Sequence, residues 1–228
     1  MKAWELLGQS SAPDGTDMQL RRSDSEYLIL AGGKPLMWSR LHGSEEALAT
    51  LGCSRVRALE APRVLVGGLG MGFTLRAVLD VLPAAAVVTV AELVPAVVEW
   101  NRTFLGELAG HPLRDRRVRV QTTDVGFTMR AKPAGFDAIL LDTDNGPAAF
   151  TATTNAGLYD NGGVVAAFAA LRPGGTLAVW SAWDDRKFEQ RLRYYGFLVE
   201  VERVRARLKK GGPRHTIFVA HKPPEEQP

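Results

Sequence analysis

RVLVGGLGMGFTLRAVL, residues 63–79, is the stretch on which the fold turns. Arg63 to Val66 opens an aliphatic run without polar alternation, the pattern of a strand buried on both faces. Glycines then fall at 67, 68, 70 and 72, and FTLRAVLDVL carries apolar residues at helical spacing. A strand that turns through glycine into a helix is the opening unit of an open α/β sheet, with ligands at the carboxyl ends of its strands.

Working outward, the strand pattern repeats at AVVTVAE (86–92), RVRVQTT (117–123), FDAILLD (136–142) and GTLAVWSA (175–182). Helical spacing predicts helices at FTLRAVLDVL (73–82), PAVVEWNRTFLGEL (95–108), NGGVVAAFAALR (161–172) and DRKFEQRLRYYG (185–196). FLVEVERVRAR (197–207), the turn KKGGP and RHTIFVAH (214–221) read as a long hairpin. Seven strands with helical crossovers predict an α/β fold, a doubly wound, mostly parallel sheet covered on both faces. Ahead of it, short extended segments with turn pairs at Asp14-Gly15 and Gly32-Gly33 predict a small antiparallel β appendage. The expected division is 1–43 for this appendage, 44–221 for the main domain, whose first helix is SEEALATLG, and 222–228 for a disordered tail.

A chain of 228 residues, 46% hydrophobic, suffices for one substantial core. The net charge of +3 is a mild excess, so nucleic acid is not the expected partner. Cys53 is the single cysteine, which excludes an intrachain disulfide and a cysteine-based zinc cluster, and no metal is expected. The amino terminus lacks a signal-peptide pattern, and no segment reaches about 18 uninterrupted apolar residues. A cytoplasmic protein without membrane contact is the expectation.

Three ligand types compete for the glycine turn. A P-loop needs Lys-Ser or Lys-Thr after its glycines, whereas Phe73 and Thr74 follow Gly72. A dinucleotide fingerprint beginning at Gly68 fails at Phe73, and one beginning at Gly70 fails at Leu75. An adenosylsulfonium has no phosphate to hold. It needs close backbone approach, which Gly67, Gly68, Gly70 and Gly72 supply, and a carboxylate for the ribose hydroxyls, which Glu92 supplies from the end of the next strand. Asp124 and Asp142 fall at two further strand ends, Asp124 for the adenine amino group and Asp142 beside the sulfonium. A helix N-cap is the competing reading of Asp124.

With VLVGGLGMG, VTVAELVPAVVEWNR, RVRVQTTD, ILLDTDNGPA and LYDNGGVVAAFAALRPGGTLAVWSA quoted together, the chain resembles the spermidine synthase-like branch of class I adenosylmethionine-dependent transferases over roughly residues 25–220. The resemblance implies the seven-stranded sheet of the class I methyltransferase type. It also implies S-adenosylmethionine or its decarboxylated form as donor substrate. The chain departs from the synthases at several points. Their G-G-G-D-G-G turn has an acid for the aminopropyl end of the donor where this chain has Gly70. Their D-S-S-D-P segment becomes Asp142-Thr143-Asp144-Asn145-Gly146-Pro147. Their tyrosine-histidine-glutamate segment becomes His42-Gly43-Ser44-Glu45-Glu46, and a glutamine after the PGG strand becomes Trp180 or Ser181.

A sulfonium donor is already electrophilic, so the enzyme's task is to align a nucleophile and free its lone pair. Asp142 and Asp144 are the expected catalytic acids, taking a proton from an amine and holding the ammonium. His42, Asn145, Tyr159 and Trp183 are the expected acceptor-binding residues, with Trp180 as a further wall and His215 read as structural. The expected activity is methyl or aminopropyl transfer to a small amine, with a homodimer compatible. The alternatives are an RNA or protein methyltransferase and a non-catalytic nucleoside-binding relative.

Overall fold

The computed structural model describes residues 3–143, 146, 156–206 and 212–225. Strands β1 (Glu5–Ser11), β2 (Asp17–Ser23), β3 (Glu26–Ala31) and β4 (Lys34–Trp38) form a four-stranded antiparallel meander. Helix α1 (Gly43–Gly52) leads into β5 (Arg63–Gly67), α2 (Phe73–Val81), β6 (Val87–Glu92), α3 (Pro95–Trp100), β7 (Val118–Thr122), α4 (Val125–Arg130) and β8 (Phe136–Leu141). The chain then runs through α5 (Ala156–Tyr159), α6 (Asn161–Ala170), β9 (Leu171–Ser181), α7 (Arg186–Tyr194), β10 (Leu198–Arg205) and β11 (Arg214–His221).

The second sheet has the order β10-β11-β9-β8-β5-β6-β7. Ladders among β7, β6, β5, β8 and β9 are parallel, and β11 runs antiparallel to both of its neighbours. The chain winds from β5 outward through β6 and β7, then returns to lay β8 on the other side of β5. The carboxyl ends of β5 and β8 therefore flank the switch point where open α/β sheets bind ligands.

Strand alternation divides the core. Val64, Val66, Val88, Val90, Ala138 and Leu140 pack on one face with α1, α2 and α3. Leu65, Ile139, Leu141, Leu177 and Val179 face α4, α6 and α7. Such side chains contribute about 1.5–3 kcal/mol each when fully buried. Met18, Leu20 and Ile29 of the meander join the first of these cores, and β1 passes so close to α3 that a Cβ at Gly8 would run into the Trp100 indole. The meander is thereby seated beside the glycine turn.

Three elements differ from the sequence expectation. The helix expected over 95–108 is α-helical only to Trp100, widens to a π turn over Asn101–Leu105 and tightens to a 3-10 turn over Gly106–Ala109. The helix expected to reach 172 ends at Ala170, because Leu171 already pairs with Phe136 as part of β9. Just past β11, residues 222 and 223 at the start of the expected tail are held by hydrogen bonds. Lys222 N donates to Gly175 O, Gly174 N to Pro223 O, and the Lys222 ammonium to the Phe168 and Leu171 carbonyls. Among the described residues no helix is long and apolar enough to cross a membrane.

Candidate active site

The turn after β5 is suspended from its neighbours by backbone bonds. Gly68 N donates to Ala91 O at 2.9 Å, and Asp142 N donates to Gly67 O at 2.9 Å. Gly68 has φ +89°, and a Cβ there would run into the Asp142 carbonyl oxygen, so only glycine permits this approach of β5 to β8. Gly72 caps α2, and Gly70 lies between them with φ +50°. A Cβ at Gly70 would meet the terminal methyl of Met37, which β4 extends over the turn. Gly67 is tucked against Val125 and Leu141 on the opposite face.

Glu92 is buried at the end of β6 and braces the turn. Its Oε2 accepts from Leu69 N and its Oε1 from Val94 N, both at 2.8 Å. Two charge-assisted bonds fix the carboxylate, and an ionised carboxylate has about four acceptor positions in all. Asn101 supports the turn from below, its Nδ2 donating to Gly70 O at 2.8 Å and Val97 O at 2.9 Å. The π turn in the helix after β6 begins at this asparagine, and such bulges recur at functional sites.

At the neighbouring strand end, Asp142 Oδ2 accepts from the Thr74 hydroxyl at 2.6 Å, which ties β8 to the first turn of α2. The first turn of α1 adds a second acid here. Glu45 is buried, and burial together with the nearby Asp142 charge pushes its carboxyl up to about 8. Ser44 Oγ donates to Glu45 Oε2 at 2.6 Å and lies 2.9 Å from His215 Nδ1, which burial lowers from its ordinary value. The His215 ring meets Trp180 edge to face at 4.6 Å between centroids. His42 precedes α1, stacks on Phe73 at 4.3 Å and pairs with Glu46 at 2.8 Å.

The expected site residues are thus distributed unevenly. Gly68, Gly70, Gly72, Glu92, Asp142 and His42 gather around the glycine turn. Asp124 sits at the end of β7, half-exposed, and caps α4 by accepting from Phe127 N at 2.8 Å. Tyr159 is packed in the core on the far face, edge to face with Phe188, its hydroxyl 2.6 Å from Thr143 Oγ1. Its ring packs against Phe188, and its hydroxyl joins it to Thr143, the residue after Asp142. Trp183 is half-exposed beyond β9, where its backbone carbonyl accepts from Ser181 Oγ. Asp144 and Asn145 lie outside the described residues. Thr74 and Asn101 are additions to the site, as are Glu45 and Ser44, which the sequence reading names within the segment 42–46 without giving them a role. A hollow of about 560 Å³ lined by Arg116, Arg117 and Arg119 lies at the amino edge of the sheet, where β6 and β7 begin, and belongs to none of this.

Comparison with protein-family models and with curated proteins finds no match. Among solved structures, a spermidine synthase in complex with the transition state analogue AdoDATO superposes with a TM-score of 0.72, at 17% identity, covering 95% of this chain and 72% of its own. The fold is that of the spermidine synthases. The spermidine synthase from Thermotoga maritima gives a TM-score of 0.73 at 19% identity, with 95% of this chain and 72% of that one covered. A probable spermidine synthase from Corynebacterium glutamicum gives 0.65 at 18%, with 94% and 79% covered. The spermidine synthase-like form of the class I methyltransferase fold accounts for both the seven-stranded sheet and the amino-terminal meander.

Proposed function

We propose that this protein is a spermidine synthase-like transferase that alkylates a small amine from an adenosylsulfonium donor, S-adenosylmethionine or its decarboxylated form. The observation that carries the reading is the acid pair Asp142 and Glu45 beside a glycine turn braced by a buried carboxylate. Paired carboxylates raise one another's proton affinity and favour a cation between them, which suits an ammonium acceptor.

The donor fits what the chain offers. Gly68 and Gly70 give the close backbone approach that a side chain would block, and Glu92 is fixed at the strand end, the position from which a carboxylate meets ribose hydroxyls. When bound, the donor supplies a carbon made electrophilic by its sulfonium. The protein's own part is to orient. Asp142, held by Thr74, fixes the acceptor nitrogen in line and receives or holds its proton, so the lone pair is free to attack. Asp124, already capping α4, has one carboxylate edge left for the adenine amino group.

Isothermal calorimetry with S-adenosylmethionine, its decarboxylated form and the thioether nucleoside product tests the reading. Micromolar binding of at least one donor, lost in Glu92→Ala, is the expected result. Absence of binding by all three compounds would refute it.

A further inference from the structure

We infer that Glu45, Ser44 and His215 form a hydrogen-bonded relay that carries protons from the Asp142 end of the cleft toward solvent, an inference that rests on the amine-alkylating reading above. Three observations point there. Glu45 is only 8% exposed and Ser44 fully buried, so direct exchange of a Glu45 proton with bulk water is restricted. Ser44 Oγ stands between the Glu45 carboxylate at 2.6 Å and His215 Nδ1 at 2.9 Å. His215 opens β11 and is only part-buried, so the chain of bonds ends near the surface.

A hydroxyl has one proton to give and can accept as well, so Ser44 links the states of its two neighbours. With Glu45 ionised, Ser44 donates to Glu45 and accepts from the His215 Nδ1–H. With Glu45 protonated, the carboxyl donates to Ser44, and Ser44 donates to a bare Nδ1. The ionisation of Glu45 and the tautomer of His215 therefore change together. Two anions act on Glu45, Asp142 from the end of β8 and Glu46 on its own helix, and both oppose its ionisation alongside burial. Glu46 is itself paired with His42, and Asp142 with Thr74 on α2; among the described residues the His215 ring also meets the Trp180 ring from β9.

Glu45 holds its proton up to about pH 8, so the resting site at neutral pH is protonated there. A bound ammonium favours the carboxylate. The Glu45 proton passes to Ser44, the Ser44 proton to His215 Nδ1, and the proton on Nε2 to water. The ammonium proton then passes by way of Asp142 to the ionised Glu45, and the neutral nitrogen forms its bond to the donor carbon as the C–S pair returns to sulfur. Ammonium and sulfonium become alkylated ammonium, neutral thioether and one released proton, so charge balances.

The test begins with the full protein alone, labelled with ¹⁵N-histidine and ¹³C-glutamate and titrated by NMR from pH 6 to 10. The expected result is a His215 Nδ1 signal that moves from acceptor-like to N–H-like in the same step, near pH 8, in which Glu45 ionises. Ser44→Ala should separate the two steps. A Nδ1 that keeps its proton throughout, or a coupling that survives Ser44→Ala, overturns the relay. The second arm follows alkylation of 1,4-diaminobutane in wild type, Ser44→Ala and His215→Asn. Transfer slowed tenfold or more at unchanged KM, with the pH profile displaced, is expected; an unchanged profile in both variants overturns the relay while leaving amine alkylation intact. If 1,4-diaminobutane is not alkylated, that diamine is not the acceptor, donor binding decides the functional reading and the titration alone decides the relay.

Discussion

A glutamate in water gives up its proton near pH 4.5, but Glu45 keeps its own to about pH 8 because burial and the Asp142 carboxylate both penalise its charge. Between those values the folded chain holds a proton that the unfolded chain has released. The stabilisation is therefore complete below pH 4.5 and is lost as the pH rises through 8, at up to about 1.4 kcal/mol per pH unit inside the window. Glu45→Gln removes the titration, so its urea midpoint should fall less than that of wild type between pH 5 and pH 9; parallel losses would refute the environment described for Glu45. Glu92 is buried as well, but both of its carboxyl oxygens are met by backbone donors, Leu69 N and Val94 N. Glu92→Ala removes both bonds and any ribose contact. Lost charge-assisted bonds of this kind cost about 1.5–3 kcal/mol, so donor affinity should drop at least tenfold in calorimetry on the folded variant.

Among the elements, the legible ones were those whose information is local. The strand at 63–67, its glycine turn and the acids at strand ends could be read because periodicity and turn chemistry act over a few residues. The break in the helix after β6 was hidden because Asn101 leaves the α register to hold the Gly70 carbonyl, 31 positions away in sequence. Likewise Ser44 and His215 meet across 171 positions, through the return of β11 to the sheet, and no spacing rule reports such a pair. Tyr159 shows how aromatic residues near strand ends serve packing, its ring edge to face with Phe188, a contact that sequence spacing does not report. Asp124 carries both a helix cap and the expected adenine contact, and one variant separates them. Asp124→Ala should cost about 1 kcal/mol of stability through the lost cap. If Asp124 also meets the adenine, donor affinity falls with it; a stability loss with unchanged affinity would leave the residue as a cap alone.

Across the whole molecule, the decisive junction is the one between the two sheets, where Met37 of the meander covers Gly70 of the glycine turn. The synthases that the sequence resembles have an acid at this turn position for a free aminopropyl ammonium. Here the same place is glycine under a thioether methyl, which offers such an ammonium no charge partner; Gly68 N, Leu69 N and Gly72 N are spent on Ala91 O, Glu92 Oε2 and Leu69 O, which leaves Gly70 N and Met71 N as the turn's donors toward a carboxylate. Intact S-adenosylmethionine should therefore bind at least as tightly as the decarboxylated donor, which favours methyl transfer over aminopropyl transfer. Gly70→Asp is the discriminating variant. Its φ of +50° is a conformation that aspartate tolerates better than most residues, and the atom in the way is the free end of a flexible Met37 side chain that can turn aside. A restored charge-assisted contact of about 1.5–3 kcal/mol should move the preference toward the decarboxylated donor by more than tenfold. Competitive binding of the two donors to wild type and Gly70→Asp reads this directly. A wild-type preference for the decarboxylated donor that Asp144→Asn abolishes would show that another acid serves the ammonium, and would return the assignment to aminopropyl transfer.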